Sequence, residues 1–139
     1  MNMKKKIILT AATVFVLTII SAWFFIFYKP THFKRDVADE KGIVTTAKEI
    51  VKEFQSNEAA SNAKYVNKAV EISGEVLEAK KDQTGNTILV LKSDDALSNV
   101  FVTLKAADQI ASVGSSITIK GICTGFLSDV VIIDAIFVK

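Results

Sequence analysis

Residues that build metal centres and disulfides are scarce in this sequence. It has one cysteine, Cys123, and one histidine, His32, in 139 residues. A single thiol excludes an internal disulfide. One thiol and one distant imidazole supply neither a metal-ligand set nor a nucleophile–base pair. Cys123 falls on the apolar side of an alternating segment and reads as a small core residue. No carboxylate dyad or phosphate-binding glycine loop stands out. Asp94 and Asp95 are adjacent and would point apart in an extended segment, as solvated loop residues do. A catalytic reading would need Asp94, Asp134 and His32 in one cleft. The expectation is a protein without catalytic activity and without a cofactor. Basic charge is short too. The formal net charge is +2, but Lys4, Lys5 and Lys6 precede the first apolar run. After them come fourteen basic and fifteen acidic residues; from Lys68 onward there are seven and nine. A module that tracks a phosphate backbone carries a positive stripe, and these totals show none.

What the chain does have is one long uncharged run. IILTAATVFVLTIISAWFFIFY (Ile7–Tyr28) is twenty-two residues without a charge. As a helix it would be about 33 Å long, enough to cross a hydrocarbon core of roughly 30 Å. Trp23, Phe24, Phe25, Phe27 and Tyr28 crowd its far end, where amphipathic rings favour a membrane interface. A cleaved signal peptide would have a shorter apolar region ending at a small-x-small site. Here Ser21-Ala22 runs into bulky aromatics, so an uncleaved anchor is preferred. Positive charge flanks both ends. The short N-terminal tail favours a cytoplasmic N-terminus and a domain on the far side.

Lys29–Gly42 reads as a charged stalk, with Pro30 stopping the helix and His32 a solvated linker residue. Thr45–Lys68 reads as helix. Thr46 and Glu49 have capping-box spacing, and Ala47, Ile50, Val51 and Phe54 form an apolar stripe that would dock on the domain. Ser56-Asn57 breaks it before a second short turn, Glu58–Lys64. The domains are therefore 1–28, tail and anchor; 29–44, linker; 45–67, helical segment; and 68–139, a β domain.

From Ala69 the period switches to two. Strands are expected at Ala69–Lys80, Thr87–Ser93, Val100–Leu104, Ser116–Gly125 and Asp129–Lys139. Asp82–Asn86 forms a turn with positive φ at Gly85. A short helix is expected at Ala106–Gly114, ending at its glycine. TILVLKS is apolar on both faces, which leaves its inward set open. Five short strands cannot make two full sheets, but they can close into a small barrel and so remove unpaired edges. Gly74 and Gly121 occupy matched inward slots in the first and fourth strands. A strand that bends to serve both sides of a barrel favours glycine there. The expected fold is mainly β: a five-stranded barrel of order β-β-β-α-β-β, preceded by a helix and a transmembrane helix.

YKPTHFKRDV after the apolar run, AKYVNKAVEISGEV, TGNTILVL and SVGSSITIKGICTGF together resemble the tRNA-anti-like family of oligonucleotide/oligosaccharide-binding (OB) folds, a group of bacterial lipoproteins and membrane proteins. The resemblance spans Lys29–Lys139 and implies an OB barrel with a preceding helix and a short helix between its third and fourth strands. The chain lacks the lipid-acceptor cysteine of the lipoprotein members, which puts lipidation in doubt. No activity is implied.

OB barrels bind across their second and third strands, between the first-to-second and fourth-to-fifth loops. The candidate ligand-binding residues are Lys80, Lys81, Lys92, Phe101, Thr103, Lys120 and Phe126. Two phenylalanines and a few lysines are a sparse form of the stacking, basic groove of single-strand binders. The favoured reading is a single-pass protein of a bacterial cell membrane, held through Ile7–Tyr28. Its periplasmic or extracellular domain binds a protein, peptide or glycan. The alternative is a single-stranded nucleic-acid-binding domain.

Overall fold

The computed structural model describes residues 1–28, 35–107 and 109–139 and falls into two units, Met1–Arg35 and Asp36–Lys139. Pro30 and His32, and with them the expected helix stop, lie outside the described residues. In the first unit α1 (Met3–Trp23) runs on into a single π-helical turn, Phe24–Tyr28. It is long and apolar enough to cross a membrane, with a mean hydropathy of 2.3 over its most apolar window. Its three threonine hydroxyls are satisfied internally: Thr10, Thr13 and Thr18 donate to the carbonyls of Ile7, Leu9 and Val14 at 2.8–2.9 Å. Such back-bonding lets threonine stand in hydrocarbon. Trp23 lies 6.0 Å from Phe27, and Phe24 stacks on Tyr28 at 4.6 Å, measured between ring centroids.

The second unit opens with a short 3-10 turn, Val37–Asp39, capped by the Asp36 carboxylate, which accepts from Ala38 N at 3.1 Å. Then come β1 (Ile43–Thr46), α2 (Ala47–Ser56), α3 (Glu58–Tyr65), β2 (Ala69–Lys81), β3 (Thr87–Leu91), β4 (Val100–Leu104), β5 (Ser116–Phe126) and β6 (Val130–Phe137). β2 to β6 close into a barrel. β2 pairs antiparallel with both β3 and β5, β3 with β4, and β5 with β6, while β4 and β6 run parallel and complete the ring.

The core follows the period-two pattern except in β6, where it passes from Ile132 to Ala135 across Asp134, whose φ is +51°. Val70, Ile72 and Val76 of β2, Leu89 and Leu91 of β3, and Val100 and Val102 of β4 are fully buried. So are Ile119 and Cys123 of β5 and Val130, Ile132 and Ala135 of β6. Each such aliphatic contributes roughly 1.5–3 kcal/mol by leaving water. Burial pushes the Cys123 thiol up from its ordinary value, which keeps it protonated and unreactive.

β2 changes partners midway. Residues up to Glu75 pair with β5, and pairing with β3 starts at Val76. Gly74 stands at this handover. A Cβ there would meet the Ala47 Cβ at 3.0 Å and the Leu91 Cβ at 3.4 Å, so the missing side chain admits the first residue of α2. Gly121 sits where the β5–β6 register shifts. A Cβ there would come within 2.4 Å of Ile132 Cγ2 and 2.9 Å of the Ile133 carbonyl. Both glycines serve close approach at points where a barrel strand meets a second partner.

Three features depart from the sequence reading. The first is an extra strand. β1 lies in the stretch read as linker and helix start, and it pairs parallel with Val70–Ser73, the half of β2 that β3 leaves free. The second is the expected helix at Ala106–Gly114: residues 105–107 and 109–115 form turns and irregular chain, with no helix among the described residues. The Ala107 carbonyl is taken by Lys81 Nζ and by Thr87 Oγ1. Ala111 is buried while Ile110 and Val113 are exposed, so the segment has no helical face to bury. The third is docking of the chain before β1. Val37 packs with Ala69 and Ile122 outside the barrel, and Lys120 Nζ donates to the carbonyls of Ala38 (3.0 Å) and Glu40 (2.9 Å).

α2 and α3 close the end of the barrel that carries the β3–β4 and β5–β6 loops. Thr46 Oγ1 accepts from Glu49 N, and Asn57 Oδ1 from Ala60 N, both at 3.1 Å, so each helix is N-capped. Ala47, Ile50, Val51 and Phe54 of α2 are buried in the barrel core. Gln55 Nε2 reaches Asp95 at 2.8 Å, which ties α2 to the β3–β4 loop.

Candidate ligand face

Strand alternation divides the barrel wall. With Leu89, Leu91, Val100 and Val102 inside, the residues between them point outward. Two cross-strand rows result. Glu78, Val90, Phe101 and Val131 are in register across β2, β3, β4 and β6; Lys80, Ile88 and Thr103 form the next row. Ile133, 37% exposed, extends the apolar part on β6. The face is thus an aliphatic and aromatic strip, its Ile88 buried and Val90, Phe101 and Val131 half-buried, with one carboxylate and one ammonium at its β2 edge. Those two pair with each other: Lys80 Nζ lies 3.1 Å from Glu78 Oε1.

At one end of this face stands the β2–β3 turn. Asp82 Oδ1 accepts from Thr84 N, Thr84 Oγ1 and Asn86 N at 2.8–2.9 Å, and Gly85 has φ +89°. These bonds, the Thr84 hydroxyl first, hold the Asp82 carboxyl below its ordinary range. At the other end the β3–β4 and β5–β6 loops are joined. Asn99 N donates to Asp129 Oδ1 at 2.7 Å, and Val130 N to the Asn99 carbonyl at 3.0 Å.

Lys80, Phe101 and Thr103 share this face. Lys81 ends β2 with its ammonium turned to the Ala107 carbonyl. Lys92 lines a different hollow, beside α2. Lys120 is on the β5 wall, bonded to two backbone carbonyls. Phe126 packs against the core and stacks on Phe54, with ring centroids 5.6 Å apart. The seven residues therefore do not converge. Val90, Val131 and Ile133, absent from the sequence set, do belong to the face. Their signal was the doubled apolar pattern of TILVL and VVII, which a single buried face does not explain.

Asp94 and Asp95 diverge. Asp94 pairs with Lys48 at 3.3 Å, and Asp95 accepts from Gln55 and from the amides of Leu97 and Ser98. Among the described residues no group of three or more His, Cys, Asp or Glu gathers to hold a metal.

Among curated proteins none matches the chain. A solved structure of a "putative nucleic acid-binding lipoprotein" from Klebsiella pneumoniae subsp. pneumoniae MGH 78578 superposes with a TM-score of 0.55 at 16% identity. The match covers 69% of this chain and 92% of that one, and at this identity it shows the shared fold. The model of the tRNA_anti-like family matches residues 1–135, nearly the whole chain, and the protein belongs to that family.

Proposed function

We propose that this chain is a membrane-anchored binding or adaptor module without catalytic activity. Ile7–Tyr28, within the helix Met3–Tyr28, spans the bilayer, with the N-terminus cytoplasmic and the barrel on the periplasmic or extracellular side. The outer face of β2, β3, β4 and β6 receives a protein, peptide or glycan. The observation that carries this reading is the row Glu78–Val90–Phe101–Val131, apolar but for a carboxylate. Apolar strips with a polar rim suit protein partners. A phosphate chain needs several cations in line, whereas the two rows carry Lys80 alone and Lys92 and Lys120 stand on other walls. A nucleic-acid reading draws on the name of the Klebsiella protein and on Phe101 as a stacking ring.

Three measurements test the proposal. Alkaline phosphatase fused after Lys139 should be active in intact cells; activity only of a cytoplasmic reporter would reverse the orientation. A photo-crosslinker at Phe101 should capture a discrete envelope partner that the same probe at Glu58 of α3 does not. A single-stranded oligonucleotide should bind weakly at both low and high salt. Tight binding that collapses with salt and is lost in Lys80→Ala would replace the proposal with the nucleic-acid reading.

A further inference from the structure

We infer that the barrel carries a second ligand site, apart from the β2–β4 face, in the hollow beside the start of α2, and that this site takes a short saccharide bearing a carboxylate. The hollow follows from the strand order. β1 ends at Thr46, in register with Ser73, and the chain turns away into α2, while β3 takes over beside β2 only at Val76. Between them Gly74 borders neither strand, and the Lys92 amide takes the Glu75 carbonyl at 2.9 Å. Two contiguous hollows of about 670 and about 190 Å³ meet there and share Lys48, Ser73, Gly74 and Glu75. The larger is in the usual range for small-ligand sites, about 300–1,000 Å³.

The lining sets the ligand class. Lys48 lines both hollows and Lys92 the smaller one, so two cationic side chains border the site. Lys92 is exposed, and Lys48 pairs with Asp94 at 3.3 Å, with both side chains largely in water. A ligand carboxylate can displace so solvated a pair at little cost. Ser73 Oγ and Thr118 Oγ1 lie 2.9 Å apart on the wall, and Glu75 lines the same hollow. Hydroxyls and a carboxylate together donate to and accept from sugar hydroxyls. Phe137, partly buried at the far side, offers an apolar surface for the face of a ring. A lipid chain would need a more apolar lining, and a neutral peptide would leave both ammonium groups unused. The site stands whether or not the β2–β4 face binds a partner.

The test uses the full chain in detergent micelles with digalacturonic acid as probe and neutral lactose as control. Digalacturonic acid should bind in the millimolar range, shift the amide resonances of Ser73–Glu75 and Ser116–Thr118, and leave those of Phe101 and Val131 in place. Lys48→Ala and Lys92→Ala should each weaken it roughly threefold. Both lysines are exposed, so the melting temperature serves as a control and should not move. Any one of four results overturns the inference: no binding at about 20 mM, equal binding of lactose, shifts confined to the Phe101 face, or unchanged affinity in both lysine variants.

Discussion

Phe54 of α2 stacks on Phe126 of β5 with ring planes 19° apart, and the same Phe54 ring lies 5.9 Å from Tyr65 at the end of α3. This contact fastens the helical pair to the barrel and makes Phe126 a packing residue. Phe54→Ala should cost about 3–5 kcal/mol in urea unfolding, as for a fully buried phenylalanine. Phe126→Ala, at a partly exposed site, should cost less. A double-mutant cycle should give a coupling of about 0.5–1.5 kcal/mol. Additive effects would show that the stacked geometry contributes nothing of its own.

Gly121 is the less replaceable of the two strand glycines. A Cβ at Gly121 would press on the backbone of β6 at the Ile133 carbonyl, whereas one at Gly74 would meet only side-chain carbons. Gly121→Ala should lower stability by about 1–3 kcal/mol, as overpacking does, and by more than Gly74→Ala. Chemical denaturation of the two variants side by side checks the order.

Lys120 should act as a strap rather than a ligand group. Its ammonium holds the carbonyls of Ala38 and Glu40, and Lys105 holds Asp36 at 3.2 Å. Lys120→Ala should speed amide exchange within Asp36–Gly42 and leave the barrel strands protected. Uniform loss of protection would mean that the segment is part of the global unfolding unit.

Acid should destabilise the barrel through four carboxylates. Asp36 is held below its ordinary value by the Ala38 amide and then by Lys105, Asp82 by Thr84 and Asn86, and Asp95 by the Leu97 amide and Gln55. At Glu53 burial pulls upward, but the bonds from Lys64 and Tyr65 outweigh it and the net shift is down. With folded values below unfolded ones, the unfolded chain binds more protons in acid. The stability from these groups is complete above the ordinary values of 3.8 for Asp and 4.5 for Glu and is lost as pH falls through the folded values. The urea midpoint should therefore be level near pH 6–7 and drop below about pH 4. A level midpoint down to pH 3 would contradict the assigned bonds.

Much of the architecture was written in local pattern. The apolar run Ile7–Tyr28, the stripe Ala47, Ile50, Val51 and Phe54, and the period-two strands each state their burial through spacing alone. So does the Asp82–Asn86 turn, whose side-chain bonds span only a few residues. The face was less legible. TILVL is apolar at every second position and also between, and only pairing with β4 sorted Leu89 and Leu91 inward and Val90 outward beside Phe101. The segment Ala106–Gly114 has helical composition, yet its carbonyl at Ala107 found partners in Lys81 and Thr87, residues far away in the chain.

Sequence alone determined most of the element types, the core-facing residues of β2, β4 and β5 and the single uncharged span, because these depend on neighbours within a few residues. The tertiary structure decided which outward residues share a surface, why Gly74 and Gly121 are glycines, and that Lys92, Lys120 and Phe126 stand away from Lys80 and Phe101. Those outcomes depend on barrel closure, which sets side by side residues tens of positions apart and for which no local periodicity codes.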